Sequence, residues 1–298
     1  MTFLLAHLSD PHIGPLPQPA LRELVGKRLT GFLNWQRRSQ LQDMEVLARL
    51  VDDMRAHKPD HVVMTGDIMN LGLPAEFPIA KAWLETLGPP HDVSFVPGNH
   101  DAYVKGSMPW LTETFRPWTT DDDDRHTHYP YMRVRGDIAV IGLSSGVPTA
   151  PFIASGRLGH AQRAEFVKLL DAAKARGLMR VVLIHHPPYR KGATPGRGLS
   201  DSRHFAAVIA RHGADLILHG HNHRTMVAHM TGPDGNVPVV GVGSASAVPG
   251  TPHHRAVYHL YRIARSQKGW TISGQSRGLL SGSREIGHVG DVSLDRVG

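Results

Sequence analysis

Short motifs of acidic, histidine and asparagine residues are spread along the chain. They are Asp10-Pro11-His12, Gly66-Asp67, Gly98-Asn99-His100-Asp101, His185-His186 and Gly220-His221-Asn222-His223. Their carboxylate, imidazole and amide groups are ligands that suit zinc, iron or manganese. Two divalent ions need a shared anionic ligand to offset their repulsion, and a pair ~3.5–4 Å apart can clamp both oxygens of an in-line phosphoryl displacement. These residue types therefore indicate a metal site for phosphoryl chemistry.

Each of these motifs directly follows a short apolar segment, which is typical of a buried strand. The segments are 3–9, 61–65, 93–96, 180–184 and 215–218. Residues 41–57, 75–87, 160–175 and 201–212 predict helices, the first with apolar residues at helical spacing from Met44 to Met54. This alternation favours an α/β fold with parallel strands, whose carboxyl ends bring their ligands to one edge of a sheet.

The remaining segments depart from this alternation. Residues 129–134 and 138–143 flank Arg135-Gly136-Asp137 and predict a hairpin. The part of the chain from residue 225 to about 276 is typical of strands and turns. Residues 274–298 are rich in glycine and serine, a composition found in disordered segments. We therefore expect a main domain over 1–273 and a C-terminal tail over 274–298.

The composition narrows the class of protein. Cysteine is absent, which excludes disulfides, thiolate metal sites and cysteine catalysis and fits a cytoplasmic location. No apolar run approaches the ~18 residues of a membrane-spanning helix. The N-terminal sequence MTFLLAHLSD lacks the positive region and cleavage site of a signal peptide, so we interpret it as a core strand.

The ordered set of motifs, D-x-H, GD, GNHD, H and GHxH, resembles that of the calcineurin-like metallophosphoesterases over about residues 1–245. The resemblance implies a four-layer α/β/β/α sandwich, in which two mixed β-sheets are flanked by helices. It also implies two divalent metal ions, for which Mn2+, Fe2+/Fe3+ and Zn2+ are the candidates.

The resemblance assigns a metal ligand to each motif. The first metal would be held by Asp10, His12 and His223, the second by Asn99, His185 and His221, and Asp67 would bridge the two. His186 competes with His185 for one ligand position. We prefer His185, because it directly follows the predicted strand and matches the single histidine of the family pattern.

Two further residues are candidates for catalysis. The resemblance makes His100 a histidine that does not bind metal and that either stabilises the phosphoryl oxygens or protonates the leaving group. Asp101 could then orient the ring of His100 by accepting its N–H, a role that outer carboxylates often have in metal sites.

The function implied is hydrolysis of a phosphoric ester, with hydroxide formed on the metals as the nucleophile. The short chain and the GNHD motif resemble bacterial members of the family that hydrolyse phosphodiesters, including cyclic nucleotides. This resemblance favours a phosphodiesterase. A nucleotide-lipid pyrophosphate hydrolase and a phosphomonoesterase are the alternatives, since the ligands do not distinguish these substrates. A non-catalytic scaffold is disfavoured by the complete ligand set. A nuclease is disfavoured by the lack of an aromatic RNA-binding motif or a lysine/arginine tract, although the net charge is +7.

Residues 15–40 form an irregular segment that combines basic with apolar residues, among them Phe32, Leu33 and Trp35. Three interpretations stay open. The segment could cap the substrate pocket, contact an anionic membrane surface through a basic amphipathic face, or form an ordinary surface helix. The expected partner is a small phosphorylated substrate, a nucleic-acid partner is not favoured, and the oligomeric state is not indicated.

Overall fold

Strands and helices alternate along the first two thirds of the chain, as the apolar segments predict. The computed structural model describes residues 2–38, 41–123, 129–248, 254–267 and 269–294. Residues 39–40 of the irregular segment 15–40 and residues 295–298 of the predicted tail lie outside the described residues. The strands are β1 (Thr2–Leu8), β2 (His61–Met64), β3 (Val93–Phe95), β4 (Tyr131–Arg135), β5 (Ile138–Gly142), β6 (Met179–Leu183), β7 (Leu216–His219), β8 (Met226–Gly232), β9 (Gly235–Gly241), β10 (Val257–Ser266), β11 (Gly269–Leu279) and β12 (Ile286–Val292).

The helices lie mainly between the strands. They are α1 (Lys27–Arg38), α2 (Met44–Ala56), α3 (Glu76–Glu85), α4 (Met108–Thr119), α5 (Gly159–Ala175) and α6 (Ser202–His212). At the start of α2, the Asp43 side chain accepts the N–H groups of Glu45 and Val46, at 2.9 and 3.1 Å, and so caps the helix. None of the helices in the described ranges combines the length and the apolar character needed to cross a bilayer.

The strands form two mixed sheets. The first has the order β12-β11-β10-β1-β2-β3, and the second has the order β4-β5-β6-β7-β9-β8. β1, β2 and β3 run parallel in the first sheet, and β5, β6, β7 and β9 run parallel in the second. The predicted hairpin is confirmed as the antiparallel pair β4–β5.

Alternate residues of the central strands face opposite sides, which produces the layers. In β1, Leu5 packs between the two sheets, whereas Leu4 and Leu8 pack against the helices α2, α3 and α4. In β6, Val181 faces the other sheet, whereas Val182 packs on the side of α5 and α6. The predicted four-layer α/β/β/α sandwich is therefore confirmed.

The structure corrects the expected tail. The boundary at residue 274 falls inside β11, which pairs antiparallel with β10 and with β12, so this glycine-rich segment extends the first sheet. A Cβ on Gly274 would lie 2.8 Å from Val292 Cβ and 3.1 Å from Tyr261 Cε1. The glycine that suggested disorder thus makes room for neighbouring side chains. Arg277 also donates to the carboxylate of Asp53 at 2.8 Å, which links β11 to α2.

Candidate metal centre

The predicted ligands lie just beyond the carboxyl ends of the parallel strands. Asp10 and His12 follow β1, Asp67 follows β2 and Asn99 follows β3 in the first sheet. In the second sheet, His185 follows β6, and His221 and His223 follow β7. The two groups meet where the sheets face each other, because the His221 N–H donates to Asp10 Oδ2 at 2.9 Å. All seven predicted ligands are therefore brought to one place.

Asp10, His12 and His223 form the first group. The Nε2 atom of His223 lies 3.2 Å from Asp10 Oδ1 and 3.2 Å from His12 Nε2. The other ring nitrogen of His12 lies 3.2 Å from the Met69 carbonyl, which fixes the ring and leaves Nε2 facing the other two residues of the group. Apart from its contact with His223, the buried Asp10 Oδ1 has no hydrogen-bond partner among the described residues. An oxygen and two nitrogens that converge in this way fit a divalent ion.

The second group contains Asn99, His185 and His221. His185 Nε2 lies 3.3 Å from His221 Nδ1, and His185 Nδ1 lies 2.6 Å from the carbonyl of Thr65. The buried Asn99 Oδ1 lacks a hydrogen-bond partner within the described ranges. An amide oxygen of this kind is otherwise costly to bury, so its position fits a cation ligand.

Asp67 lies between the two groups. Its Oδ2 atom is 3.2 Å from His185 Nε2 and 4.0 Å from His12 Nε2, while its Oδ1 accepts the N–H of His100 at 2.8 Å. Burial opposes ionisation of this carboxyl, but the attraction of His185 and His100 outweighs it and keeps the pKa of Asp67 well below its usual value. Asp67 is thus an anion placed to bridge two cations.

The charge on Asp67 also acts on His185. Burial lowers the pKa of His185, but the neighbouring Asp67 carboxylate outweighs burial and raises that pKa to about 9. An environment that stabilises a proton on His185 also stabilises a divalent ion in the same position. The proton and the ion would therefore compete for that position.

His186 is a neighbour of this centre, with a ring nitrogen within 4.8 Å of ligand atoms of His185 and His221, but its ring binds other groups. Its Nδ1 lies 2.8 Å from the Ser145 hydroxyl and its Nε2 lies 3.1 Å from the Ala154 carbonyl, so both ring nitrogens have partners. Burial, together with the charge of His185, lowers the pKa of His186 to about 3. The geometry therefore favours His185 as the ligand, although the two rings are neighbours.

The backbone at the ligands is strained. Positive φ angles between 41° and 74° occur at Asp10, His12, Asp67, His221 and His223. Such a conformation costs of the order of 1–3 kcal/mol for a non-glycine residue and persists only where the surroundings impose it. Here the turns bind one another: the N–H of Asp10 donates to the Gly66 carbonyl at 2.9 Å, and the N–H of His12 donates to the Asp67 carbonyl at 3.1 Å. The ligand positions are thus preorganised by contacts between turns.

The structure contradicts the role expected for Asp101. Its carboxylate accepts three backbone N–H groups, those of Asp67 at 2.7 Å, Gly98 at 2.8 Å and Met69 at 3.0 Å. The His100 ring is instead positioned by the Asn70 carbonyl, which lies 2.6 Å from its Nδ1. Asp101 therefore orients the turns that carry Asp67 and Asn99, and not the ring of His100. Burial, with Asp67 as neighbour, raises the pKa of Asp101 to about 7.

Several residues of the site were not predicted. Asn70 acts through a backbone carbonyl, so its residue type gave no signal. The buried Glu76 carboxylate holds this loop by accepting the N–H groups of Asn70, Leu71 and Leu73. Tyr103 stacks beside His100, with ring centroids 5.6 Å apart. The lining of a cavity next to the ligands includes Trp35 of α1, Tyr103 and Leu71.

A known protein family matches most of this chain. The family model of the calcineurin-like phosphoesterases matches residues 3–225 of the chain. The chain belongs to the calcineurin-like phosphoesterase family. It is a phosphoric ester hydrolase of a family that depends on divalent metals, and it has histidine and aspartate groups that could hold such ions.

Relatives and solved structures agree with this assignment. The chain is 27% identical over 236 residues to the "Probable cyclic nucleotide phosphodiesterase" of Synechococcus sp., with 76% of each protein covered. It is 28% identical over 230 residues to a glycerophosphodiester phosphodiesterase of Enterobacter lignolyticus, covering 74% of the chain and 70% of the relative. A dimetal phosphatase from Danio rerio shares the fold, with a TM-score of 0.60 at 15% identity over 97% of the chain and 99% of the phosphatase.

Proposed function

We propose that the chain is a phosphodiesterase that uses two adjacent divalent ions. One ion would be bound by Asp10, His12 and His223, and the other by Asn99, His185 and His221. The observation that carries the proposal is the position of Asp67, whose Oδ2 faces a histidine of each group at 3.2 and 4.0 Å.

The bound ions would supply Lewis-acidic charge and lower the pKa of a nearby water molecule. The chain itself contributes the anionic cradle and a proton donor. His100 has a ring nitrogen within 4.8 Å of ligand atoms of His12 and Asp67, and its Nδ1 contacts the Asn70 carbonyl at 2.6 Å. In its imidazolium form, the ring can donate the Nε2 proton to the departing ester oxygen.

A diester is favoured over a monoester by the space around the ligands. A diester carries a substituent on two of its phosphate oxygens and needs room on both sides of the phosphorus. His221 and His223 border two cavities, one lined by Trp35 of α1 and the other lined by residues 191–194 and Arg197. The names of the two relatives, both phosphodiesterases, support the same choice.

Metal removal tests the proposal. Chelated protein should lose hydrolysis of bis(p-nitrophenyl) phosphate, and Mn2+ or another divalent ion should restore it. Hydrolysis of p-nitrophenyl phosphate, measured in parallel, should be slower. Full activity in protein that elemental analysis shows to be free of metal would refute the metal dependence, and a preference for the monoester would refute the substrate class.

A pair of variants tests the assignment of the bridge. Asp67→Asn removes the negative charge between the two cations, so the second ion should bind much more weakly and activity should fall. His186→Ala is the matched control, since His186 is buried beside the ligands but has both ring nitrogens bound elsewhere. Equal metal content and equal activity in the two variants would show that the roles are wrongly assigned.

A further inference from the structure

The second cavity beside the metal ligands has an unusual lining. It shares Arg197, His221 and His223 with the first cavity, so the ligand groups lie where the two cavities meet. Lys191 and Arg224 add two more cationic side chains to its walls, and no acidic side chain is among its described lining residues. The first cavity has a mixed lining that includes Trp35, Tyr103 and Leu71, and the second cavity has no such large aromatic or aliphatic side chain among its described lining residues. The two sides of the centre therefore differ in chemistry.

These cations have no acidic partner in the described part of the chain. Lys191, Arg197 and Arg224 are exposed, and no ion pair involves them. Some other arginines are paired with carboxylates, as Arg180 is with Asp215 at 2.9 Å and Arg277 is with Asp53 at 2.8 Å. A single exposed cation is usually only solvated. Three that line one groove, next to a site for phosphoric esters, provide a positive potential without local compensation.

The loop that carries two of these cations is fixed to the ligand turn. Asn222, which lies between the ligands His221 and His223, donates from Nδ2 to the Gly192 carbonyl at 2.6 Å. The far side of the loop is held by backbone hydrogen bonds from the N–H of Ala154 to the Gly196 carbonyl, at 3.0 Å, and from that of Gly156 to the Gly198 carbonyl, at 3.1 Å. The groove is therefore held at a constant position relative to the metal ligands.

We propose that this groove binds a second phosphate group, carried by one of the two ester arms of the substrate. The preferred substrates would be phosphodiesters with a phosphorylated nucleoside or sugar on one arm and a more apolar or aromatic group on the other. Arginine and lysine bind phosphate oxygens by charge-assisted hydrogen bonds, which suits Lys191, Arg197 and Arg224. The inference rests on the proposed phosphodiesterase function and names the substrate class for the same site.

Two nitrophenyl esters test the proposal directly. Thymidine 5′-(p-nitrophenyl phosphate) and its 3′-phosphorylated derivative share the reacting phosphate and the leaving group, and differ only in the second phosphate. For the metal-loaded protein, kcat/KM should be about tenfold higher for the phosphorylated ester, because exposed ion pairs each contribute only a few-fold. The preference should shrink at high potassium chloride concentration, where the charges are screened.

The double variant Lys191→Gln/Arg224→Gln should bring the preference close to one. Arg197 is left in place because it also borders the first cavity. Arg211→Gln is the matched control: Arg211 is exposed near the end of α6, shortly before β7 begins, and therefore at the opposite end of the sheet from the ligands. This variant should keep the wild-type preference. No preference in the wild type, or an unchanged preference in the double variant, would overturn the proposal.

Equilibrium binding separates failure of this proposal from failure of the proposed function. Thymidine 3′,5′-bisphosphate should bind the metal-loaded protein about tenfold more tightly than thymidine 5′-monophosphate, and the double variant should lose the difference. If neither ester is hydrolysed, the phosphodiesterase function fails, and the ratio of the two dissociation constants still decides whether the groove binds a second phosphate. A ratio of one in the wild type would overturn the phosphate site.

Discussion

Replacing Asp101 with asparagine is expected to weaken the metal centre without removing a ligand. Asp101 Oδ2 accepts the N–H groups of Asp67 and Gly98, and Oδ1 accepts that of Met69. Asparagine has the same shape but only one acceptor oxygen. If that oxygen takes the position with two donors, the new amide N–H groups face the buried N–H of Met69, which then lacks an acceptor.

The expected loss of stability follows from the one N–H group that is left without an acceptor. A buried backbone N–H left without an acceptor costs about 1–3 kcal/mol, which is a substantial part of a typical folding free energy of about 5–15 kcal/mol. The variant should therefore fold, with reduced stability. Because the same carboxylate holds the turns of Asp67 and Asn99, metal affinity should fall by roughly 10–100-fold, as for other outer-sphere partners of metal ligands.

The assay combines metal titration with kinetics. Asp101→Asn should lose activity toward a p-nitrophenyl diester and toward an alkyl diester by the same factor, and excess metal should restore much of the loss of both. Urea unfolding of the same samples should show the reduced stability. If the variant instead keeps both metals and slows only the alkyl diester, Asp101 acts through His100 and the interpretation of its three hydrogen bonds is wrong.

Three further outcomes are expected. His100→Ala should keep both metals and slow an alkyl diester about 10²–10⁴-fold more than a p-nitrophenyl diester, whose leaving group needs no proton; equal slowing would exclude leaving-group protonation. Trp35→Ala should raise KM for large diesters more than for small ones, because Trp35 lines the cavity. Leu33→Ala is the control and should not have this effect, because the Leu33 side chain is half exposed. An equal rise in KM for large and small diesters in Trp35→Ala would count against α1 as a cap. Burial lowers the pKa of His259 to about 3. Between pH 6.5 and 3, the unfolded state therefore binds a proton at this residue that the folded state does not bind. As the pH falls through this range, His259 lowers the free energy of unfolding by about 1.4 kcal/mol per pH unit. His259→Gln should flatten the pH dependence of urea unfolding by that amount, and an unchanged slope would contradict the pKa.

The sequence determined the chemistry of the site because the relevant signals are local. Each ligand motif follows an apolar strand within a few residues, and parallel strands place their carboxyl ends at a common edge. The types of ligand and the α/β class could therefore be predicted from the residues, whereas the order of the four layers was implied by the family resemblance. The hairpin was also predictable, since the tight connection between β4 and β5 is encoded in adjacent residues.

Tertiary structure decided what depends on partners distant in the chain. Asp101 lies next to His100 in sequence, yet its carboxylate binds the N–H of Asp67, which is 34 residues away. The two ring nitrogens of His186 have Ser145 and Ala154 as partners, neither of which the motif contains.

In the C-terminal segment, the local composition and the tertiary contacts favour different structures. Its glycine and serine content lowers the intrinsic preference for a strand, which is why composition indicated disorder. The edge of β10 supplies hydrogen-bond partners along the length of β11, and the close approach of Tyr261 and Val292 requires a glycine at position 274. Those contacts exist only once the first sheet has formed, so the sequence of the segment alone could not predict its strand.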